Sequence, residues 1–259
     1  MLLAVCVLAG LCACAQEEST GSSWKPPYYE TAGFTQVNGR NVYDGESGTA
    51  TKTGIDVSDH QGYIDWYNVA ADGIEFAFIR AGYRGATEGS LFADEYFDYN
   101  LTSAEEVGIE RGVYFFSQAI SVEEAREEAR YVLSLLGDTS LEYPIAFDYE
   151  RNAEGVESRI QGVSSEEATA IAQAFCEVIQ RAGYRAALYG NSYDLNMFDL
   201  DAFWDVSLWY AEYGTAPMCR RPFTLWQYSN DGRVSGIEGA VDMNLDLSAA
   251  APADRPEDE

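Results

Sequence analysis

Histidine, cysteine and positive charge are all scarce in this 259-residue chain. A single histidine, His60, rules out a metal site built from several imidazoles. Three of the five cysteines, Cys6, Cys12 and Cys14, fall within the first fifteen residues. Cys176 and Cys219 are left in the body, which excludes a disulfide framework and any Cys-x-x-Cys metal spacing. Cys176 lies in an apolar helical pattern and reads as a core residue, while a Cys176–Cys219 bridge stays open. Sixteen Lys and Arg stand against 43 Asp and Glu, a formal charge of −27. A surface of that sign repels nucleic acid and anionic membranes, so a polyanionic partner would have to be held by local contacts.

What the chain does have is apolar and aromatic residues, at 47% and 14%, enough for one sizeable core. Residues 1–15 are apolar and uncharged, too short for a permanent span, and match the h-region of a secretory signal. Leu11-Cys-Ala-Cys14 resembles a bacterial lipobox with lipidation at Cys14, and this reading is preferred. Ala13-Cys-Ala15 also fits ordinary cleavage before Gln16. A lipid on Cys14 would anchor the protein to a membrane without spanning it. Residues 16–53 read as a tether carrying a short β-hairpin, residues 34–43, turned at Asn38-Gly39. Residues 249–259 read as an acidic disordered tail.

From residue 54 short apolar strands alternate with helical segments. Strands are expected at 54–58, 76–83, 112–117, 144–150, 186–191, 207–212, 224–228 and 240–245. Ser121-Val-Glu-Glu124 and Ser164-Ser-Glu-Glu167 are capping boxes that open helices ending near Gly137 and Gly183. A less regular helix is expected over 92–107. The pattern is that of an α/β protein, a parallel, TIM-like β/α barrel that becomes irregular after residue 207, where helical pattern fades. A doubly wound open sheet is the alternative. No Gly-rich phosphate loop follows any strand.

The fourth strand ends in two carboxylates, Asp148 and Glu150. Alternation puts Ala146, Asp148 and Glu150 on one face, with Ile145, Phe147 and Tyr149 on the other. The two Cα atoms should be about 7 Å apart. Such a pair suits acid/base work on a glycosidic bond, although a solvated strand end would read the same way. Asp56 in the first strand and Asp242 in the eighth also sit two residues after a small one, Gly54 and Ala240, as Asp148 follows Ala146. Small inward residues would leave space for a pocket, and in a closed barrel Asp56 and Asp242 would be neighbours. Four converging carboxylates would raise one another's proton affinity. The plain alternative pairs Asp56 or Asp242 with Arg80. Tyr83, Tyr114, Phe116, Tyr189, Trp209, Tyr213, Trp226 and Tyr228 crowd the same strand ends as candidate sugar-stacking faces, and Gln227 and Asn244 are candidate hydrogen-bonding groups.

Six ordered stretches carry a family resemblance. They are Gly54-Ile-Asp-Val-Ser-Asp-His-Gln61, Phe78-Ile-Arg-Ala-Gly-Tyr83, Gly112-Val-Tyr-Phe-Phe-Ser117, Phe147-Asp-Tyr-Glu150, Trp226-Gln-Tyr228 and Val241-Asp-Met-Asn244. Together they resemble glycoside hydrolase family 25, the Chalaropsis-type lysozymes or N-acetylmuramidases, over residues 54 to 247. The resemblance implies an irregular barrel of eight strands with about five helices, filling 54–248. It further implies a monomer that acts on peptidoglycan glycan strands outside the cell or at the outer membrane face, with neither metal nor organic cofactor. By the same resemblance Glu150 is the general acid and Asp148 its strand partner, acting on the substrate's acetamido group or directly, and Asp56 and Asp242 complete the acidic site. His60 fits the pattern without a required role. A family 18 chitinase is an enzyme alternative, but its pattern calls for Asp where this chain has Ala146. A surface-anchored carbohydrate-binding protein that cleaves nothing is the alternative from another class.

Overall fold

In the computed structural model, residues 27–44, 51–151 and 158–251 are described. The expected leader with Cys14, the tether through residue 26 and the tail from 252 lie outside them.

Local sequence accounts for most of the elements. Strands β1 (Phe34–Val37) and β2 (Arg40–Tyr43) form a hairpin on Asn38-Gly39, both with positive φ (52° and 79°), as a type I′ turn requires. Strand β3 (Lys52–Val57) leads to helix α1 (Trp66–Ala71), whose first turn is capped by the Asp65 side chain. Strand β4 (Phe76–Arg84) follows. The helix expected over 92–107 is shorter. Residues Leu91–Ala93 form β5 against the end of β4, and only Phe97–Glu106 is helix α2. Gly82 makes that pairing possible, because a Cβ there would clash with the Phe92 carbonyl.

Strand β6 (Glu110–Phe116) precedes helix α3 (Val122–Leu136), which Ser121 caps and Gly137 ends with φ 57°. The capping box of α3 closes on one side only. Glu124 takes the Ile120 N–H (2.9 Å) and the Arg159 guanidinium (2.7 Å) instead of turning back to Ser121. Strand β7 (Ile145–Asp148) and helix α4 (Ser165–Arg181) come next, and in α4 both halves of the Ser164/Glu167 box are made. The chain ends with β8 (Ala186–Asn191), a single turn α5 (Ser192–Leu195), β9 (Ser207–Ala211), β10 (Leu225–Gly232) and β11 (Val241–Asp246).

Eight of these strands close a barrel in the order β3-β11-β10-β9-β8-β7-β6-β4, with β4 pairing back to β3. Seven run parallel. The eighth, β11, is antiparallel to both neighbours, which corrects the parallel expectation. The turn from β10 to β11, residues 233–240, is too short for the crossover that a parallel strand needs.

The pleat divides the barrel cleanly. Ile55, Val57, Phe147, Tyr149 and Val241 point outward into the layer shared with the helices. Phe76, Phe78, Ala146, Ala187, Tyr189 and Trp209 point inward and pack as a plug, with Phe78 stacked on Trp209 at 4.3 Å. That plug changes the role of Gly54. The room left by its missing Cβ is filled by the Phe76 ring and not by a pocket. The N-terminal stretch is packed from Tyr28 onward, where a tether was expected. Tyr29 is fully buried, donates to the Phe223 carbonyl (2.7 Å) and makes edge contacts with Phe34, Tyr43 and Phe223.

Candidate active site

Above the aromatic plug the barrel opens into a pocket of about 360 Å³. Asp56, Asp148, Glu150 and Asp242 all line it, as do Tyr114, Phe116, Tyr189, Trp209, Tyr213 and Gln227. Strand register explains the convergence. Asp242 lies opposite Asp56, Phe116 opposite Asp148, and Asp148 opposite Tyr189. Because β11 is antiparallel, Asp242 comes from the start of its strand and still reaches the mouth formed by the ends of the parallel ones. The inward residue beneath it is therefore Asn244, not Ala240, which precedes the strand.

Asn244 and Gln227 do not face the pocket in the same way. Both amides donate to one oxygen of Asp56, Asn244 Nδ2 at 2.7 Å and Gln227 Nε2 at 2.9 Å. Asn244 is fully buried below the pocket, and its carbonyl accepts the Trp209 indole N–H at 2.8 Å. The Gln227 carbonyl accepts the Tyr189 hydroxyl at 2.8 Å and the Tyr213 hydroxyl at 3.3 Å. Two chains of donors thus end on Asp56, and these partners fix the orientation of both amides. Asp148 is nearly as buried, yet its Oδ1 has no hydrogen-bond partner. A buried carboxylate oxygen without a partner is costly, and binding sites are where such costs are tolerated.

Burial raises the proton affinity of all four acids. Glu150, half-buried beside the charges of Asp194 and Asp242, is pushed up to about 7. Asp242 is pushed up to about 6, chiefly by burial. Asp148 is held well above the ordinary carboxylate range by burial and then by Glu150 and Asp56, with Arg80 pulling the other way. Asp56 is raised by burial and by Asp242, and its two amide donors oppose the shift. A pocket of this kind keeps one carboxyl protonated near neutral pH while others are ionised, the condition for paired acid and base chemistry. Among the described residues no cluster of three or more His, Cys, Asp or Glu is grouped to hold a metal ion.

Other candidates fall elsewhere. Arg80 lines the pocket but pairs with Asp59 (2.5 Å) and Asp94 (2.8 Å), so neither Asp56 nor Asp242 is its partner. Its place on the inward face of β4 with Phe76 and Phe78 was the signal for it. His60 also reaches the pocket wall, with Nδ1 3.5 Å from Asp59. Tyr83 is not among the lining side chains and stacks on Phe92 at 5.2 Å. Trp226 and Tyr228 point outward, Trp226 against Phe34 at 5.1 Å. Asp194, which raises Glu150, carried no pattern in the sequence. Cys176 is buried, and neither it nor Cys219 is in a disulfide.

The family model described as "Glycosyl hydrolases family 25" matches residues 55–237, well over half of the chain. The chain belongs to glycosyl hydrolase family 25. It is 30% identical over 226 residues to Lysozyme M1 of Streptomyces globisporus, covering 80% of this chain and 71% of that one. The crystal structure of a bacterial lysozyme from Streptomyces coelicolor superposes with a TM-score of 0.65 at 30% identity, over 78% of this chain and 96% of that one. The autolysin LytC from Streptococcus pneumoniae, solved in complex with a synthetic peptidoglycan ligand, shares the fold with a TM-score of 0.66 at 24% identity. That match covers 82% of this chain, which spans about half of the autolysin (52%). Family 25 membership makes the protein a glycoside hydrolase of the lysozyme type. Asp56, Asp148 and Glu150 lie within the family match, whereas Asp242, Asn244 and the β1–β2 hairpin lie outside it.

Proposed function

We propose that this protein is a peptidoglycan hydrolase, a muramidase that cleaves the β-1,4 bond between N-acetylmuramic acid and N-acetylglucosamine with retention of configuration. The observation that carries the reading is the pair at the end of β7. Asp148 is buried with one carboxylate oxygen that has no hydrogen-bond partner, and Glu150, half-buried in the same pocket, is pushed up to about 7. In this reading the protonated Glu150 gives its proton to the glycosidic oxygen as the C1–O bond breaks. The charge developing at C1 is met by Asp148, either directly or through the substrate's acetamido oxygen, the acetamido N–H then donating to the Asp148 carboxylate. Glu150, now a carboxylate, takes a proton from the incoming water, and its attack at C1 restores the first configuration by double displacement. Asp56 and Asp242 supply negative charge on the opposite side of the mouth. Tyr114, Tyr189, Trp209 and Tyr213 offer ring faces and hydroxyls to sugars. The envelope of a bacterial cell is then the place of action. Lipidation at Cys14 would hold the enzyme at the outer face of the membrane, with release into the medium as the outcome of Cys14→Ala.

Mass spectrometry of a purified peptidoglycan digest, with the anomer resolved before mutarotation, tests this reading. Reducing-end N-acetylmuramic acid formed as the β-anomer is the expected result. Reducing-end N-acetylglucosamine, or the inverted anomer, refutes it. A substrate without the acetamido group separates the two routes, because only direct attack by Asp148 would survive its loss.

A further inference from the structure

A second and larger cavity opens beside the candidate pocket, about 1200 Å³ against about 360 Å³. Tyr213 lines both, its ring half-exposed where they meet. One wall of the larger cavity is the β1–β2 hairpin, and the other is the end of β10 with the turn after it. The hairpin precedes the residues that the family model matches.

The groove is built and not merely open. Arg40 of β2 donates to the carbonyl of Asp72 (2.5 Å) and to its carboxylate (2.6 Å), and the same carboxylate accepts the Ser235 N–H (3.0 Å). The fully buried Asn41 donates to the Gly214 carbonyl at 2.7 Å. One residue of α1's C-terminal cap therefore ties the hairpin to the β10–β11 turn, and the hairpin is tied again to the loop that carries Tyr213. Pre-formed walls are the usual condition of a ligand site. The lining is chemically specific as well. Gln36, Asn38, Asn230 and Ser235 present amides and a hydroxyl without formal charge, and Val37 adds exposed apolar surface. Arg40 and Asp72 neutralise each other, and Asp231 and Arg233 add one exposed charge of each sign, so the lining carries no net charge. A lining of no net charge, with several groups that both donate and accept, matches a sugar bearing hydroxyl and acetamido substituents better than a peptide of one charge sign.

We propose that this groove is a glycan subsite: a strand held in the catalytic pocket continues past Tyr213 into the cleft between the hairpin and the β10–β11 turn. The assignment rests on the glycan-cleaving reading of the pocket, and it makes the enzyme a selector of long strands.

The test uses the full chain carrying Glu150→Gln, which that reading makes non-cleaving. Binding of peptide-free peptidoglycan glycan strands, sized by length, is measured by calorimetry. Affinity should rise about tenfold once strands outrun the pocket. Gln36→Ala combined with Asn230→Ala should abolish that rise, with little effect on the shortest strand that binds. Both side chains are exposed, Gln36 also donates to Asn41 at 3.0 Å, and an unchanged melting temperature checks that the walls persist without that bond. A rise that survives the double substitution, or affinity independent of length, overturns the proposal. So does tighter binding of stem-bearing strands that the double substitution removes, since the groove would then hold peptide. Cleavage of peptidoglycan by the unmodified enzyme is assayed separately. Its absence would refute the catalytic reading whatever the binding series gives.

Discussion

Asn244→Leu is the most informative single perturbation, because Asn244 is fully buried between Trp209 and Asp56 and touches no substrate in the proposed reaction. Leucine keeps the branched heavy-atom shape, adds some bulk, and removes both bonds. The Trp209 N–H, itself buried, is left without its acceptor, a cost of about 1–3 kcal/mol. Asp56 loses one of its two amide donors, and a hydrogen bond to a charged group is worth about 1.5–3 kcal/mol. The second cost depends on pH. Burial already raises Asp56 above its unfolded value, and the Asn244 bond opposes that shift by favouring the carboxylate. Without the bond the folded protein keeps the Asp56 proton to higher pH, while the unfolded chain ionises near the usual carboxylate range. A group raised on folding loses stability as pH climbs through its folded pKa. The variant's deficit should therefore grow as pH rises through the folded pKa of Asp56, by the worth of a hydrogen bond to a charged group, about 1.5–3 kcal/mol. Urea unfolding followed by far-UV circular dichroism, repeated across the pH range in which the protein folds, measures it. Glu150 and Asp242 titrate in both proteins and largely cancel from the difference. A deficit that stays constant across that whole range would refute the claim that Asn244 serves the charge on Asp56.

Other expectations follow from the same geometry. With Glu150 near 7 as the proton donor, kcat/KM on peptidoglycan should fall above about pH 7, and a profile still rising at pH 9 would remove Glu150 from that role. Glu150→Gln should cost at least about a thousandfold in turnover yet raise the melting temperature at pH 8, because an acid raised by burial is destabilising once ionised. Asp148→Asn should lower kcat more than it weakens binding of glycan strands, and a loss confined to KM would argue for positioning alone. Tyr29→Ala should cost about 3–5 kcal/mol in urea unfolding if the N-terminal stretch is part of the barrel's core, and less than 1 kcal/mol if it is a tether.

The sequence alone determined which residues could do the chemistry and which faces they occupy. Period-two alternation set Asp148 and Glu150 on the inward face with Phe147 and Tyr149 outside, since successive side chains on a strand must point oppositely. Asn38-Gly39, Ser164 and Gly137 declared a turn, a helix start and a helix stop, because each depends on a local backbone state that few residues accept. What lay beyond local rules was decided by contacts between distant segments. The short 233–240 turn reverses β11 and puts Asn244, not Ala240, beneath Asp242. The space above Gly54 belongs to Phe76, and Arg80 chose Asp59 and Asp94 over Asp56 and Asp242. Tyr29 looked like linker and is buried, because the aromatic cleft that receives it is assembled from Phe34, Tyr43 and Phe223. A side chain's partner across the barrel depends on strand order and register, and those are properties of the closed sheet, not of any one segment within it.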